Sequence, residues 1–575
     1  MERIRTMALP RLSAGVVAAV AAGVAVGLLA TVPGGGAEAP PWGAWMVHAV
    51  IFGAVLGLLG GGRKQSLGSS LAAGLLLGLA DWLFGQLTLS VLVSGSVPKW
   101  TLAEAVSTFD ELVRTVLLGA VAGPVMYGLV ALWHRRAATD ATVPRKPHIV
   151  VVGGGFGGVG AARRLDALVA RGLQVEITVI SESNFLLFTP LLVGVASSTL
   201  EPRHVSAPVR AALGYASFLH GRVESVDPER RELLVAAGSQ GRQRVPYDEL
   251  ILAVGAVPQL FDLPGVAEHA LTMKTIDDAN RLRNRVLAAL EQADLETDAA
   301  EQGRLLTFVV AGGGFAGTEL IAELFDLVHG VLHHYPRLHD AEPRFVLVHS
   351  GDRLLPELPA DLGDYALRTL RGRGVEFRLG TRVVEAGPSS VRFSDGARIE
   401  ARTFAWTAGN RPNPLVERIG PGGGSGPLQV DECLRVTGMD GVWAIGDCAR
   451  IPDPARPGSY YPPTAQHAIR EGKAVADNVA AVVRGRAPTP FRFGGLGILV
   501  SLGHRRAAGQ VFGRRVSGLT GWVLWRAVYL GKLPGAEKRL RVAVDWLLDL
   551  GFSRDIALTS TEIISTTAPD RNRHA

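Results

Sequence analysis

Cysteine is nearly absent from this sequence, which contains only Cys433 and Cys448 among its 575 residues. The two do not form a Cys-X-X-Cys pair, so the chain has neither a disulfide framework nor a thiolate zinc cluster. We therefore expect reduced thiols in a cytosolic compartment and no metal site. Sequence patterns of nucleic-acid-binding modules are also missing, and the formal net charge of +6 is modest for this length. We expect no nucleic-acid partner.

Charged residues are also few, at 19% of the chain, whereas hydrophobic residues make up 47% and the mean hydropathy is +0.22. This balance is high for a purely soluble enzyme. The apolar excess is concentrated in four stretches, each long enough to cross a hydrocarbon core. They are residues 12–32, 42–60, 69–93 and 112–133. We predict an all-α four-helix transmembrane domain over residues 1–136, with a cleaved signal peptide as the alternative for the first stretch.

Basic residues flank these four stretches mainly on one side of the predicted membrane. They are Arg3, Arg5, Arg11, Arg63, Lys64, Arg135 and Arg136. Because lysine and arginine are retained in the cytoplasm, both termini are predicted to be inside. We predict a multi-pass protein of the plasma (inner) membrane with its catalytic domains on the cytoplasmic side. Asp81, near the middle of the third stretch, is expected to face the bundle interior and to pair with a polar group.

An apolar strand, residues 150–152, runs into a glycine loop that is followed by a helical segment. Gly153 allows the tight turn, Gly155 allows a pyrophosphate to approach the backbone, and Gly158 allows the helix to pack on the strand. A second strand, residues 175–180, leads to Glu182, whose carboxylate is suited to the ribose hydroxyls of a dinucleotide. The spacing predicts a Rossmann-like dinucleotide-binding unit.

The same pattern recurs at residues 306–319, where the glycines are Gly312, Gly314 and Gly317. Two such units imply two dinucleotides and hydride relay from a nicotinamide to a flavin. Residues 404–409 echo residues 250–255, so the second unit is predicted to be inserted in the first. The predicted fold is α/β, with two nested Rossmann-like domains after the all-α membrane domain. The predicted boundaries are a linker at 137–146, a flavin domain at 147–265 and 403–490, a nicotinamide domain at 266–402, and a C-terminal membrane-surface region at 491–575.

The strand of residues 442–445 closes the first unit and ends at Gly446 and Asp447. Together with the glycine loops and the segments 247–253, 264–270 and 274–275, this motif resembles the type II NADH:quinone oxidoreductases, single-chain flavoproteins of respiratory chains. The resemblance covers residues 147–560. It implies FAD as the cofactor, with Asp447 on its ribityl chain, NADH as electron donor and a membrane quinone as acceptor, without proton pumping.

The same resemblance implies roles for four further residues. Glu319 is expected to face the nicotinamide and flavin rings. Gln466 matches the first glutamine of the family's quinone signature, but Arg470 replaces the second, which leaves the quinone type open. His349 stands where the family usually places an acid on the adenine ribose. NADPH therefore remains open beside NADH, and Arg353 lies nearby in the sequence.

Related enzymes offer two rival interpretations that the cysteine usage disfavours. Disulfide reductases of this fold need a CxxC or CxxxxC motif near the flavin, and sulfide:quinone reductases need a cysteine pair flanking it. Cys433 and Cys448 are the only candidates in this sequence. Two alternatives stay open: an NAD(P)H reductase of another acceptor, and a flavin-based membrane redox sensor. The histidines of the helical region after Glu319 are interpreted as structural. They are His329, His333, His334 and His339.

The C-terminal part of the chain is strongly basic. Residues 484–541 contain twelve lysines and arginines and one acid, interleaved with Trp522, Trp525 and Tyr529. Cations and aromatic side chains on short amphipathic helices predict a surface that contacts anionic lipids. We therefore expect the lipid bilayer as a partner, and the sequence leaves open whether the chain forms a homodimer.

Overall fold

The computed structural model describes residues 16–22, 24, 42–59, 67–90, 102–136, 145–238, 241–419 and 426–558. They form two compact units. The first comprises the described residues up to Pro147 with Asp166–Glu176 and Leu213–Ala216. The second comprises His148–Leu165, Ile177–Ala212 and the described residues from Ser217. Most of the predicted linker and the five basic residues between Arg3 and Lys64 lie outside the described residues.

The first unit is helical in each of the four apolar stretches. Residues 16–22 and 24 are helical. They are followed by α1 (Trp42–Leu59), α2 (Leu67–Ala80), a π-helix (Asp81–Ser90), a short helix (Leu102–Ser107) and α3 (Phe109–Arg136). In the described part of the chain, one segment, Phe109–Leu132, is long and apolar enough to cross a membrane, whereas Val47–Gly57 and Ser70–Gly85 are shorter apolar helices. The four-helix transmembrane domain therefore stays a prediction.

Small residues let α2 and α3 pack backbone against backbone. A Cβ atom at Gly119 of α3 would lie 1.9 Å from the Gly74 carbonyl oxygen of α2, and one at Gly78 would lie 2.3 Å from that of Thr115. Glycine every four residues on a helix face permits this close approach. The opposite face of α3 is apolar as well, because Val113, Leu117, Val121 and Val125 are exposed. Such all-round hydrophobicity is typical of helices surrounded by lipid.

Asp81 pairs with a histidine of the neighbouring helix. Its Oδ2 atom lies 2.9 Å from Nε2 of His48 on α1, and both side chains are largely buried, with 21% and 27% exposure. Asp81 is the first residue of the π-helix that continues α2. The expected polar partner on a neighbouring helix is therefore His48.

Two five-stranded sheets, each built of parallel strands, form the centre of the second unit. Across the first sheet the strands are Val442–Ala444, Glu249–Leu252, His148–Val152, Glu176–Ser181 and Ser217–His220. Across the second they are Leu271–Thr272, Thr403–Trp406, Thr307–Ala311, Arg344–Val348 and Val375–Arg378. In each sheet the strand before the glycine loop is central, and a helix follows the loop. In the first sheet this helix is α4 (Phe156–Ala170). In the second sheet it is α6 (Phe315–Val331), which comes after the long helix α5 (Ile276–Leu295) in the chain. The predicted Rossmann-like sheets are confirmed.

The two sheets share further features that indicate duplication. Each is accompanied by a three-stranded antiparallel sheet, formed by Arg222–Asp227, Glu232–Ala236 and Arg242–Pro246 in one copy and by Val383–Ala386, Ser390–Phe393 and Arg398–Glu400 in the other. The strands Ala256–Pro258 and Asn410–Pro412 pair antiparallel where the chain leaves and re-enters the first copy. Shorter pairs are Phe185–Leu187 with Ser206–Pro208 and Leu428–Gln429 with Ala449–Arg450. Shorter helices are Leu192–Ala196, Val209–Ala212, Val266–His269, Ala299–Leu305, Ala360–Arg371 and Pro414–Ile419.

The C-terminal part begins after α7 (Ala465–Val483) with an antiparallel sheet of Gly497–Ser501, Ala507–Val511 and Arg514–Ser517. Two helices follow, α8 (Gly518–Lys532) and α9 (Ala536–Gly551). Trp525 and Trp546 are buried in the core of this unit, whereas the exposed apolar residues of the two helices are aliphatic, as Leu519, Val523 and Leu547 show. The prediction that Trp525 lies at the membrane surface is therefore wrong, because its ring packs against Tyr529 and Trp546.

Candidate active site

The first glycine loop has the geometry that a dinucleotide phosphate requires. Gly153 adopts a positive φ of 118°, and its amide donates to the Ile180 carbonyl (2.8 Å) on the adjacent strand. A Cβ atom at Gly158 would lie 2.0 Å from the Gly153 carbonyl oxygen, so α4 packs directly on the loop. At Gly155 nothing lies within 4 Å of such an atom. Glu182, one residue past the neighbouring strand, is exposed at the same edge of the sheet.

The second glycine loop repeats this arrangement. Gly312 has a φ of 116° and donates to the Val348 carbonyl (2.8 Å). A Cβ atom at Gly317 would lie 1.9 Å from the Gly312 carbonyl oxygen, whereas at Gly314 the nearest atom is Oε1 of the exposed Glu357, at 3.5 Å. Both loops therefore combine a closely packed first and third glycine with an open middle glycine.

His349 lies against the second glycine loop. The Gly313 amide donates to Nδ1 of His349 (3.2 Å), and burial lowers the pKa of this imidazole. Arg353 does not take part in this contact, because its guanidinium donates hydrogen bonds to the carbonyls of Pro356 (3.1 Å) and Leu358. His349 therefore stands at the position of the expected acid, and the Arg353 guanidinium is hydrogen-bonded elsewhere.

Asp447 and Lys274 face each other at the carboxyl end of the first sheet. Burial raises the pKa of Asp447 and lowers that of Lys274, while the attraction between the two opposes both shifts. In the described residues no hydrogen bond reaches the Asp447 carboxylate. The preceding Gly446 has a φ of 70°, and its amide donates to Glu471 (2.8 Å), whose pKa burial raises to about 7. The turn thus presents an unshared carboxylate beside the half-buried Lys274.

The neighbouring Cys448 is fully buried and donates to the Ile445 carbonyl (3.2 Å). Burial raises the pKa of its thiol to about 11. Cys433 is also a free thiol, and its pKa is raised by burial. A thiol is a nucleophile only as the thiolate, so these environments suit packed rather than reactive cysteines.

Glu319 is buried near the start of α6, where its Oε1 accepts from the Ser501 amide (2.8 Å). Burial raises its pKa to about 8, and the Ser501 and Trp525 donors only partly oppose this. A pocket opens beside it. Its walls include Leu191, Leu200, Glu323, Trp522, Trp525, Arg526, Trp546 and Asp549. Burial therefore favours the protonated form of Glu319 at neutral pH, beside a pocket that is lined by both aromatic and charged side chains.

Gln466 and Arg470 lie one turn apart at the start of α7. The Gln466 amide contacts the next sheet, accepting from the Leu496 amide (3.4 Å) and donating to the Gly497 carbonyl (3.5 Å). Arg470 donates to the Gln466 carbonyl (2.9 Å) and stacks its guanidinium 4.2 Å from the centre of the Phe493 ring. Both hydrogen bonds of the Gln466 side chain are long, so its amide can exchange them for a shorter hydrogen bond to another group.

Several of these neighbours were not singled out from the sequence. Ser501 meets Glu319 across 182 positions, and Gly497 meets Gln466 although the two belong to different elements. Lys274 was part of a recognised motif without an assigned role. The histidine interpretation is consistent with the structure, in which the His329 ring stacks on Phe325 with the ring centroids 3.9 Å apart.

Comparison with known proteins first defines the class. The family model of pyridine nucleotide-disulphide oxidoreductases matches residues 147–472. The structure of NDH2 from Plasmodium falciparum in complex with NADH has the same fold, with a TM-score of 0.66 at 21% identity, over 72% of this chain and 100% of that one. The nested sheets and glycine loops are thus those of a two-dinucleotide oxidoreductase.

Relatives then define the family. A probable NADH dehydrogenase of Dictyostelium discoideum is 30% identical over 418 residues, covering 71% of this chain and 90% of the relative. The type II NADH:quinone oxidoreductase Ndh of Mycobacterium tuberculosis is 30% identical over 438 residues, covering 73% and 92%. This chain belongs to the type II NADH:quinone oxidoreductase family, which confirms the predicted family.

Proposed function

We propose that this protein is a membrane-bound flavoprotein that oxidises NADH through FAD and reduces a membrane quinone without pumping protons. The observation that carries the proposal is the pair of glycine loops, each with a middle glycine, Gly155 or Gly314, that leaves space beside the backbone. Relatives at 30% identity are named as NADH dehydrogenase and NADH:quinone oxidoreductase, which supports the same activity.

The residues of the first loop fit FAD. An open cradle at Gly155 suits the pyrophosphate, Glu182 suits the adenine ribose, and the unshared carboxylate of Asp447 suits the ribityl hydroxyls. When bound, FAD supplies the two-electron chemistry between the nicotinamide and the acceptor. Lys274 and Gly446 orient the Asp447 carboxylate by charge and by backbone geometry.

The second loop is proposed to bind NADH. Gly314 leaves space for the pyrophosphate, and His349 stands where an acid would contact the adenine ribose. Glu319, two residues after Gly317, supplies a neutral acid that can donate a hydrogen bond without adding negative charge. The donor site is therefore expected to favour NADH, while the missing acid leaves NADPH as a slower substrate.

The acceptor is proposed to bind beside Gln466 and Arg470. Replacing Gln466 by alanine should slow quinone reduction while leaving the anaerobic bleaching of FAD by NADH nearly unchanged. Stopped-flow absorbance at the flavin band separates the two half-reactions. Equal slowing of both would show that Gln466 supports the flavin site in general and would contradict its assignment to the acceptor.

We propose that the N-terminal and the C-terminal parts of the chain both contact the membrane. The outward apolar face of α3 and the apolar stretches near α1 and α2 support a four-helix, multi-pass domain in the plasma membrane. Exposed aliphatic residues and cations on α8 and α9 support a second lipid contact. We propose that these two contacts hold the catalytic domains at the cytoplasmic surface, near a quinone pool.

Two alternatives make different predictions in one assay. A reductase of another acceptor oxidises NADH continuously only with that acceptor, and a redox sensor binds FAD but shows little turnover with any. Steady-state oxidation of NADH by the full-length protein, with and without a soluble quinone, distinguishes them. Stimulation by quinone to at least about one turnover per second, the lower end of typical enzymes, is expected.

A further inference from the structure

The His349 ring is held against the second glycine loop. Its Nδ1 accepts from the Gly313 amide (3.2 Å), and Cβ atoms added at Gly313 and Gly351 would lie 2.7 Å and 2.9 Å from atoms of the ring. Burial lowers the pKa of this imidazole, so it is mainly uncharged at neutral pH and its other nitrogen carries the proton. The ring therefore offers no free acceptor to the ribose hydroxyls and no charge to a 2′-phosphate.

The segment that follows this histidine is fixed onto the same glycine loop. The Leu355 amide donates to the Gly313 carbonyl (2.8 Å), and the side chain of Leu355 is buried. The Arg353 guanidinium donates to the carbonyl of Leu358, which is buried as well. Glu357 lies between these two buried leucines, so the backbone that carries it has a defined position at the loop.

Glu357 extends over the middle glycine of the loop. Its Oε1 atom lies 3.5 Å from the position of a Cβ atom at Gly314 and is the nearest atom beyond the chain neighbours of that glycine. The side chain is exposed, and within the described ranges no hydrogen bond or ion pair holds its carboxylate. Because the middle glycine of such a loop is where the pyrophosphate approaches the backbone, this carboxylate lies beside the path of the adenosine half of the dinucleotide.

Two arginines at the same sheet edge have other partners. Arg353 donates to loop carbonyls, and Arg378, whose carbonyl accepts from the His349 amide (2.9 Å), pairs with Asp395 (3.2 Å). An arginine near the ribose is what usually accommodates the 2′-phosphate of NADPH. At Gly314, by contrast, the group that reaches the loop is an acid.

We propose that Glu357 recognises the adenine ribose of the donor, because its carboxylate can accept a hydrogen bond from a ribose hydroxyl of NADH and repels the 2′-phosphate of NADPH. The inference rests on the proposed function and names the residue that makes the donor site selective for NADH. The role expected of an acid at position 349 thus belongs to the loop that follows it. A phosphate monoester carries about −1.5 to −2 charges at neutral pH, so a single nearby carboxylate discriminates against it.

The test measures binding of oxidised nucleotides to the full-length, FAD-loaded protein, which needs no turnover. Isothermal titration calorimetry compares NAD⁺ with NADP⁺, which differ only in the 2′-phosphate. Wild type should bind NAD⁺ about tenfold more tightly, and Glu357→Gln should reduce this preference to about threefold or less, mainly through tighter binding of NADP⁺. Glu357→Lys should favour NADP⁺. Added salt should weaken the wild-type preference, because exposed charges are screened.

Asp352→Asn is the matched control. It removes an exposed acid of the same loop whose carboxylate lies more than 4 Å from the Cβ position at Gly314. Its preference for NAD⁺ should stay within about twofold of wild type. An equal loss of preference in Asp352→Asn and Glu357→Gln would overturn the inference, because the net charge of the loop would then set the preference. FAD content and thermal unfolding confirm that each variant is folded.

Three other results would also overturn the inference. They are equal affinity of wild type for the two nucleotides, an unchanged preference in Glu357→Gln, and equally tighter binding of both nucleotides by that variant. In the last case the carboxylate would only screen the pyrophosphate site. Any of these results together with quinone-dependent oxidation of NADH rejects this inference alone. A preference that depends on Glu357 in a protein without turnover rejects the proposed function and leaves the ribose contact standing.

Discussion

At the scale of single residues, burial decides the chemistry of Glu319. A solvated glutamate is ionised at neutral pH, but desolvation raises the pKa of this carboxyl to about 8. In the proposed function, this proton lets Glu319 donate a hydrogen bond into a site where an extra negative charge would disfavour reduction of the flavin. Ser501 holds one oxygen of the carboxyl group and so orients the other.

The raised pKa of Glu319 predicts a pH-dependent stability. Because the folded pKa lies above the unfolded value, its stabilising contribution is complete at low pH and is lost as the pH rises through about 8. Between about pH 5 and about pH 8 the midpoint of thermal unfolding should therefore fall more steeply for wild type than for Glu319→Gln. Parallel curves would contradict the buried, protonated state. Glu342→Gln, at an exposed acid, is the control and should follow wild type.

We expect the residue at position 349 to influence the preference between NADH and NADPH. Replacing His349 by glutamate should restore an acceptor for the ribose hydroxyls and repel a 2′-phosphate, raising the preference for NADH over NADPH about tenfold, or about 1.4 kcal/mol. The ratio of kcat/KM values for the two donors measures it. Arg353→Gln should leave this ratio within about twofold, because the Arg353 guanidinium is bonded to loop carbonyls. An unchanged ratio in the His349 variant would show that the ring does not face the ribose.

At the scale of elements, the glycine loops separate a packing role from a binding role. Gly158→Ala should destabilise the protein by about 1 to 3 kcal/mol, because its Cβ would overlap the Gly153 carbonyl. Gly155→Ala should leave the FAD-free protein as stable as wild type but lower its FAD content, since only the cofactor would occupy the space beside that residue. Thermal unfolding with and without FAD, together with flavin absorbance, measures both. Equal FAD content in Gly155→Ala and wild type would argue against this loop as the flavin site.

The helix pair α2 and α3 makes a similar prediction within the first unit. Gly119→Leu should separate the two helices, because its Cβ would lie 1.9 Å from the Gly74 carbonyl oxygen. Gly128→Leu, on the same helix but with no atom within 4 Å of its Cβ, should be tolerated. Resistance of the N-terminal unit to protease in detergent micelles reports the difference. Similar digestion of both variants would mean that this close packing does not stabilise the unit.

At the scale of the whole molecule, four membrane spans in the first unit would exceed what anchoring requires. Its helices bury Ala18, Phe52 and Leu118 in one common core and pair His48 with Asp81. A charged or polar pair inside an apolar bundle is costly and usually has a function. We therefore expect this unit to assist the reaction with lipid-soluble quinones.

Removing the part of the first unit that precedes residue 141 should test this role. A chain that starts near residue 141 should still bind FAD and be reduced by NADH, but should reduce a long-tailed quinone in liposomes several-fold more slowly than the full chain. Asp81→Asn should be intermediate, because it retains the unit but weakens the pair with His48. Rates are compared at matched membrane occupancy, and reduction of a short soluble quinone serves as the control. Equal rates of quinone reduction in liposomes for all three proteins would show that the N-terminal part only tethers the protein to the membrane.

The sequence by itself determined the nested α/β architecture and the family. A strand, three glycines at set spacing and a helix form a local signal, because the turn, the open backbone and the helix packing all depend on residues within one short segment. Its repetition at Gly153 and Gly312 was therefore visible without coordinates. The apolar stretches before residue 136 were visible for the same reason, since each is a local excess of hydrophobic residues.

Tertiary structure alone decided which distant residues share a site. Glu319 meets Ser501, and Gln466 meets Gly497, because packing joins α6 and α7 to a C-terminal sheet that no local pattern links to them. Burial of Trp525 likewise depends on the helix packed over it, so its sequence context suggested a membrane surface instead. Protonation, partner choice and burial depend on the surroundings in space, and those surroundings exist only once the chain has folded.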